Sequence, residues 1–496
     1  MAEISVSNLT FAYEGSYDNI FENVSFQIDT DWKLGFTGRN GRGKTTFLNL
    51  LMGRLTYSGR ISSPCEFEYF PFEITDVSMD TALILESLSP ESQKWEIERE
   101  LSLLEVEAGV LYRPFSTLSK GEQTKVLLAA LFLRENNFLL IDEPTNHLDT
   151  GGRQVVSKYL SAKKGFILVS HDRAFLDGCA DHILSINRAD IDVVRGNFST
   201  WLLNKERQDS FEIARNEKLK KEVRRLEKTA GEKAEWSNKA ESRKIGFDPR
   251  TTEKSIDRRA YQGAKSAKMM KRSKAITQRR EEAAAEKSKL LKNIETSEPL
   301  KVTQPDYHHK RFISLEDVTI FYGEKAAARN ISLRVEKSDR IALCGRNGSG
   351  KSSIIKLICG EDLAYTGKME KGSGLSISYV SQDTAHLKGS LSAFIEDNSL
   401  NEPLFKAILR KLDFSRVQFD KNLEGYSAGQ KKKVLIAKSL SEQAHLLVWD
   451  EPLNYIDVVS RIQIEFLLLE YRPTIVFVEH DAVFCEKIAT QKIMLQ

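Results

Sequence analysis

Short apolar runs, separated by polar and glycine-rich stretches, recur along this chain in a fixed succession. Ile4 to Val6 and Val24 to Ile28 read as strands, and Trp32 to Phe36 as a further strand running into a glycine-rich loop. Behind that loop Phe47, Leu48, Leu50 and Leu51 mark the buried face of a helix. Val126 to Leu133 predicts another helix, followed by the apolar strands Phe138 to Ile141 and Phe166 to Ser170. Strands alternating with helices predict an α/β fold. The whole succession then returns: Gly38 and Gly345 are 307 residues apart, Ser119 and Ser427 308, Glu143 and Glu451 308, His171 and His480 309. A displacement this constant is an internal duplication.

Between the copies the period changes. Leu219, Val223, Leu226 and Ala230 recur at spacings of 4, 3 and 4, and Met269, Ile276, Ala283 and Leu290 recur every seven. Gly246, Asp248-Pro249 and Gly263 interrupt the pattern, which predicts an antiparallel hairpin of two long α-helices with its tip near 243–261. A first helix from Lys205 to Arg243 would extend about 55 to 60 Å at 1.5 Å per residue. The expected organisation is therefore one α/β domain over 1–204, a helical linker over 205–311 and a second α/β domain over 312–496.

Charge sharpens this picture. The chain is nearly neutral, with 73 Lys and Arg against 70 Asp and Glu, but residues 205–311 hold 30 against 18 and the rest 43 against 52. A linker of net +12 calls for a polyanionic partner. No apolar run approaches 18 residues, and Met1-Ala2-Glu3-Ile4 lacks a basic region followed by an apolar one, so a cytoplasmic protein without membrane contact is expected. Cys65, Cys179, Cys344, Cys359 and Cys485 lie far apart with no C-x-x-C pair, which predicts buried reduced thiols.

The chemistry lies at the strand ends. Gly38-Arg39-Asn40-Gly41-Arg42-Gly43-Lys44-Thr45 fits G-x-x-x-x-G-K-[ST] between a strand and a helix, with Thr46 following. Its glycines let backbone N–H groups close around phosphates, Lys44 can reach β/γ oxygens, and the Thr45 hydroxyl can ligate Mg²⁺. Ser119, Lys120, Gly121, Glu122 and Gln123 precede the next helix, an N-terminus that could face an anion; alone it reads as a helix cap. The strand ending in Asp142-Glu143 would bury two carboxylates, which a magnesium nucleotide explains: Asp142 holds the metal shell and Glu143 orients or deprotonates water. A histidine at a strand end is usually structural, but His171 beside Asp172 completes the series. The second set reads Gly345-Arg346-Asn347-Gly348-Ser349-Gly350-Lys351-Ser352 with Ser353, then Gln382, Ser427-Ala428-Gly429-Gln430, Asp450-Glu451 and His480. Tyr13 and Tyr322 stand 309 residues apart between the first strands of each copy, as packed aromatics or as nucleotide platforms.

Both copies resemble ABC-type (P-loop) nucleotide-binding domains, over about 1 to 200 and 312 to 496, because Walker A, signature, Walker B, D-loop and switch histidine occur in order twice. The resemblance implies a monomer whose two cassettes pack head to tail, as a pseudo-dimer, around two ATP molecules. Lys44, Thr45, Asp142, Glu143 and His171 would meet Ser427, Gly429 and Gln430, while Lys351, Ser352, Asp450, Glu451 and His480 would meet Ser119 and Gly121. It further implies that Glu143, Glu451, His171 and His480 are catalytic, and that Thr45, Asp142, Ser352, Gln382 and Asp450 hold Mg²⁺. The first copy departs from the family by placing Phe72, in Tyr69-Phe70-Pro71-Phe72, where the second keeps Gln382; Glu73 could substitute. The second signature carries Tyr426 and Ala428 in place of the usual Leu and Gly. Two unequal sites are expected.

Tandem cassettes joined by a charged helical linker resemble the ABC-F family of ribosome-associated ATPases. That likeness implies binding at the exit site of the 70S ribosome, with the linker against 23S rRNA and P-site tRNA. Only 46 residues separate Phe72 from Ser119, too few for the arm of housekeeping members, and the Phe-Glu-Tyr-Phe-Pro-Phe run looks most like the Lsa-type antibiotic-resistance branch. Protection against lincosamides, streptogramin A and pleuromutilins is then implied, with Lys244, Phe247, Arg250, Arg258 and Arg259 at the tip. An ABC-F translation factor with no drug role and an ATPase subunit of a membrane transporter are the competing readings; the second leaves the basic hairpin unexplained.

Overall fold

The computed structural model describes residues 2–14, 19–134, 137–186, 191–208, 304–414 and 416–495, with scattered helical positions between 210 and 279. The chain divides into two compact units, Met1–Trp201 with Glu298–Gln496, and Leu202–Ser297. In the second unit the described positions, such as Leu203 to Gln208, are helical. The linker tip and its residues Lys244, Phe247, Arg250, Arg258 and Arg259 lie outside the described residues.

In the first unit each copy folds around one parallel sheet. The first copy supplies β1 (Glu3–Phe11), β2 (Phe21–Asp29), β3 (Lys33–Gly38), β4 (Ser58–Ser62), β5 (Glu66–Phe70), β6 (Asn137–Asp142), β7 (Phe166–Val169), β8 (His182–Ile186) and β9 (Ile191–Arg195). The second supplies β10 (Arg311–Tyr322), β11 (Lys325–Glu336), β12 (Arg340–Gly345), β13 (Ala364–Lys371), β14 (Ile377–Val380), β15 (Leu446–Asp450), β16 (Ile475–Val478) and β17 (Gln491–Leu495). The sheet orders are β5-β6-β7-β3-β8-β9 and β14-β15-β16-β12-β17, so the duplication survives strand by strand. Among the described residues only β9, antiparallel to β8, breaks the correspondence. Flanking each is a three-stranded antiparallel sheet, β2-β1-β4 or β11-β10-β13. Those strands outrun the apolar stretches that predicted them, because β1 and β2 continue through alternating positions where one face meets water.

Burial of the central strands on both faces explains their unbroken apolar runs. Leu34 and Phe36 of β3 are fully buried, and Phe36 packs on Phe47 of the helix Lys44–Leu51 with ring centres 5.6 Å apart. This fixes the strand–loop–helix corner from which the glycine-rich loop emerges. All five cysteines are free, but only Cys179 and Cys485 are buried; Cys65, Cys344 and Cys359 are half-buried at strand and helix edges, short of the full burial expected. Among the described residues no helix is long and apolar enough to cross a membrane.

Candidate nucleotide sites

Each phosphate loop is set by the helix it opens. Gly43 and Gly350 cap the helices Lys44–Leu51 and Lys351–Cys359 with φ of 95° and 84°. A Cβ there would stand 2.5 Å from Ile20 Cγ2 and 2.4 Å from Ala327 O, so glycine is required on both counts. The free N–H groups of each helix start then face the loop, as an anion would need. Lys44 Nζ donates to Gly38 O (2.8 Å) and Arg39 O (3.2 Å), and Lys351 Nζ to Gly345 O (2.9 Å) and Arg346 O (2.8 Å). Burial pushes the pKa of both ammonium groups down, against the pull of the neighbouring carboxylates.

The Walker B strands β6 and β15 deliver their carboxylates beside these loops. Thr45 Oγ1 donates to Asp142 Oδ2 at 3.3 Å, and Tyr69 Oη donates to the same oxygen at 3.1 Å. At the second loop the Ser352 hydroxyl bonds Asp450. Burial raises the pKa of both aspartates. Asp450 Oδ1 and Glu143 Oε1 are buried without a hydrogen bond, a costly state for a carboxylate. The donor set fits Mg²⁺, which takes one or two protein oxygens and completes its shell with phosphate and water.

The two glutamates differ. Both adopt left-handed backbone, with φ of 50° at Glu143 and 47° at Glu451. Gln382 Nε2 and Asn454 Nδ2 donate to Glu451 Oε2 at 2.7 and 2.6 Å, and His480 Nε2 lies 3.5 Å from its other oxygen. Burial opposes ionisation of Glu451, but His480, Asn454 and Lys432 outweigh it and hold its carboxyl below the usual range. At the first site His171 Nε2 lies 3.3 Å from Glu143 Oε1, and burial keeps that imidazole neutral. Phe72 sits beneath the Arg134 guanidinium at 5.3 Å, and Glu73 is exposed. Burial, then the charge of Asp142, pushes Glu143 up to about 8.

Each glycine-rich loop meets the opposite cassette at the stretch after its paired carboxylates, the D-loop, which holds His147 to Asp149 in the first cassette and Asn454 and Tyr455 in the second. Asn40 Nδ2 donates to Tyr455 O at 2.6 Å, and a Cβ on Gly429 would fall 2.7 Å from that same Nδ2. Across the second site Asn347 reaches Asp149 Oδ2 through its N–H and His147 O through its amide, both at 3.4 Å. Between them lies a cavity of about 360 Å³ lined by Lys120, His147, Lys351, Gln382, Glu451 and His480. The first site is the tighter, since Arg39 and Arg42 also pair with Asp413 of the second cassette at 2.9 and 3.8 Å.

Ser119 and Ser427 each close a capping box, with Glu122 and Gln430. Gln123 instead donates to Phe115 O at 2.9 Å, and the position in step with Gln430 is Glu122. Tyr13 and Tyr322 are half-exposed rather than packed away, and the Tyr13 hydroxyl bonds Thr46 Oγ1 at 2.9 Å. Sequence reasoning missed Tyr69, Asn454, Tyr455 and Asp413; only Tyr69 carried a signal, as a hydroxyl at the end of a strand adjoining β6.

A family model described as "ABC transporter" matches residues 21–146 and 328–454. Ribosome protection protein VmlR of Bacillus subtilis is 29% identical over 507 aligned residues, spanning 100% of this chain and 87% of its own. ATP-binding protein Uup of Caulobacter vibrioides is 25% identical (96% and 74%), and ABC transporter F family member 2 of Arabidopsis thaliana 24% (99% and 76%). Among solved structures, the complex of the archaeal ribosomal stalk protein aP1 with the archaeal ribosome recycling factor aABCE1 superposes with a TM-score of 0.63 at 18% identity, covering 98% of this chain and 87% of that one. That likeness is one of fold.

Proposed function

Because this chain belongs to the ABC transporter family, with two ATP-binding cassettes in tandem, we propose that it is an ABC-F ATPase that protects the ribosome from antibiotics bound near the peptidyl-transferase centre. ABC cassettes imply ATP hydrolysis. The observation that carries the reading is the head-to-tail contact of each glycine-rich loop with the opposite cassette, an arrangement in which a nucleotide held by either loop would be touched by both jaws. The +12 linker and the likeness to a ribosome protection protein support a ribosomal partner, rRNA and tRNA phosphate being the polyanion that a basic hairpin would contact.

In this mechanism Lys44 and Lys351 leave their loop carbonyls for phosphate oxygens. Thr45 with Asp142, and Ser352 with Asp450 and Gln382, would hold Mg²⁺, which supplies charge neutralisation on the phosphates. Glu143 and Glu451 orient the attacking water and accept its proton, while His171 and His480 steady them. Ser427 and Gly429 close over the first site, and Ser119 and Gly121 over the second. Closure drives the linker, tip residues 243–261 foremost, toward the drug site; hydrolysis releases it.

Expression in a susceptible Gram-positive host tests the proposal. Wild type should raise tolerance to lincosamides, streptogramin A and pleuromutilins, whereas Glu143→Gln/Glu451→Gln and a deletion of 244–261 should not. Unchanged tolerance to every drug of that region would remove the protective role and leave a ribosomal ATPase.

A further inference from the structure

The two sites differ in how the helix behind each signature is tied to the catalytic loops. Lys432 lies within the first turns of the helix Ala428–Ser441 and is 1% exposed. An ammonium buried this deeply is costly unless its donors are used. Its Nζ donates to Ser381 O at 2.8 Å and to Glu451 O at 3.0 Å. Ser381 precedes Gln382, whose amide holds Glu451 Oε2 at 2.7 Å. One side chain therefore pins the backbone behind both members of that pair, including the Glu451 peptide in its left-handed conformation. Beside it Glu479 is buried and accepts from Leu453 N at 2.7 Å and His480 N at 2.9 Å, placing a compensating carboxylate in the same pocket.

The first cassette fills the corresponding positions with hydroxyls. Thr124 stands where Lys432 does, Thr145 where Leu453 does, and Ser170 where Glu479 does. Thr124 Oγ1 turns back to Lys120 O of its own helix at 2.9 Å, and Thr145 and Ser170 bond each other at 3.3 Å. The bland alternative is a lysine neutralising a core glutamate. It does not explain why two donors are spent on carbonyls of the two loops that carry Gln382 and Glu451.

We propose that Lys432 is a positioning residue for hydrolysis at the second site, a strut from the helix behind Ser427 of the same cassette that holds Gln382 and Glu451 in register and that the first cassette lacks. The proposal rests on the ATPase reading above and deepens it: the two sites hydrolyse by the same chemistry but with different supports.

The test uses the full chain in two single-site backgrounds, Glu143→Gln, which leaves the second site, and Glu451→Gln, which leaves the first, with ATP turnover measured without ribosomes. K432T/L453T/E479S writes the hydroxyl cluster of the first cassette into the second, an arrangement this fold already packs once, and K432R keeps charge and donors. In the Glu143→Gln background the triple variant should lose kcat tenfold or more with KM for ATP within twofold, and K432R should recover most of it. In the Glu451→Gln background the triple variant should keep kcat within twofold. Equal losses in both backgrounds, a loss carried by KM, or unchanged kcat in Glu143→Gln would overturn the proposal. A Glu143→Gln parent without turnover would overturn it too, by removing hydrolysis from the second site. Ribosome binding enters none of these readouts, so failure here is distinct from failure of the ribosomal assignment.

Discussion

Gly429→Ala and Gly121→Ala are one substitution at two corresponding places, and the structure gives them different consequences. At 429 the new methyl would lie 2.3 Å from Tyr455 O and 2.7 Å from Asn40 Nδ2, so the Tyr455 backbone and the Asn40 side chain of the opposing loop must both shift. At 121 the nearest atoms are His147 O at 3.4 Å and a Leu148 methyl at 3.7 Å, ordinary contact. Overpacking of the first kind costs about 1–3 kcal/mol, or about 5- to 150-fold in an equilibrium at 1.4 kcal/mol per decade. The part of that cost that comes from Asn40 falls on the closed form of the first site, and the part from Tyr455 on the second cassette itself. With Glu451→Gln as background, Gly429→Ala should raise the ATP concentration for half-maximal turnover at least about fivefold. With Glu143→Gln, Gly121→Ala should shift the corresponding value less than about threefold. Melting curves control for damage within the second cassette, to which Tyr455 belongs. If Gly121→Ala proved as harmful as Gly429→Ala, the unequal spacing of the two composite sites would be wrong.

Turnover by Glu143 needs its ionised carboxylate, and a pKa of about 8 means that in the Glu451→Gln background activity should rise about tenfold from pH 7 to pH 9. Glu451, held below the usual carboxylate range, is ionised throughout that window, so the Glu143→Gln background should stay level; matched profiles would refute the asymmetry. The buried pair of Arg173 and Glu465 joins the two cassettes beside Asp481. Arg173→Met or Glu465→Leu alone should destabilise by about 3–5 kcal/mol and the pair together by clearly less than the sum, so additive shifts in thermal unfolding would contradict a coupled contact. Tyr69→Phe frees Asp142 from its hydroxyl donor and should raise KM for MgATP about tenfold at the first site alone, as loss of an orienting partner does. An equal effect in the Glu143→Gln background would show that Tyr69 acts on the fold instead.

What the sequence revealed was local. A strand, a glycine loop and a helix start lie within a few residues of one another, so Lys44, Thr45 and their copies could be placed from spacing alone, and the paired carboxylates of β6 and β15 likewise. Contacts made by chain folding left no such trace. Asp413 meets Arg39, and Glu465 meets Arg173, across hundreds of residues, and each reads as an ordinary surface charge in its own helix or turn. Lys432 was hidden for the same reason, since three consecutive lysines suggest a solvated face while two of them, Lys432 and Lys433, are buried. Spacing alone also does not show that the capping box of Ser119 closes on Glu122 while Gln123, one residue later, turns inward to Phe115.

Co-sedimentation with 70S ribosomes bears most directly on the central claim. With ATP and Mg²⁺ at modest salt, the Glu143→Gln/Glu451→Gln chain should pellet with ribosomes in near-stoichiometric amount, lose that association when ATP is replaced by ADP, and release steeply as salt rises. Recovery of the ATP-loaded variant in the supernatant, or with membranes alone, would contradict the account and leave an ATPase with another partner.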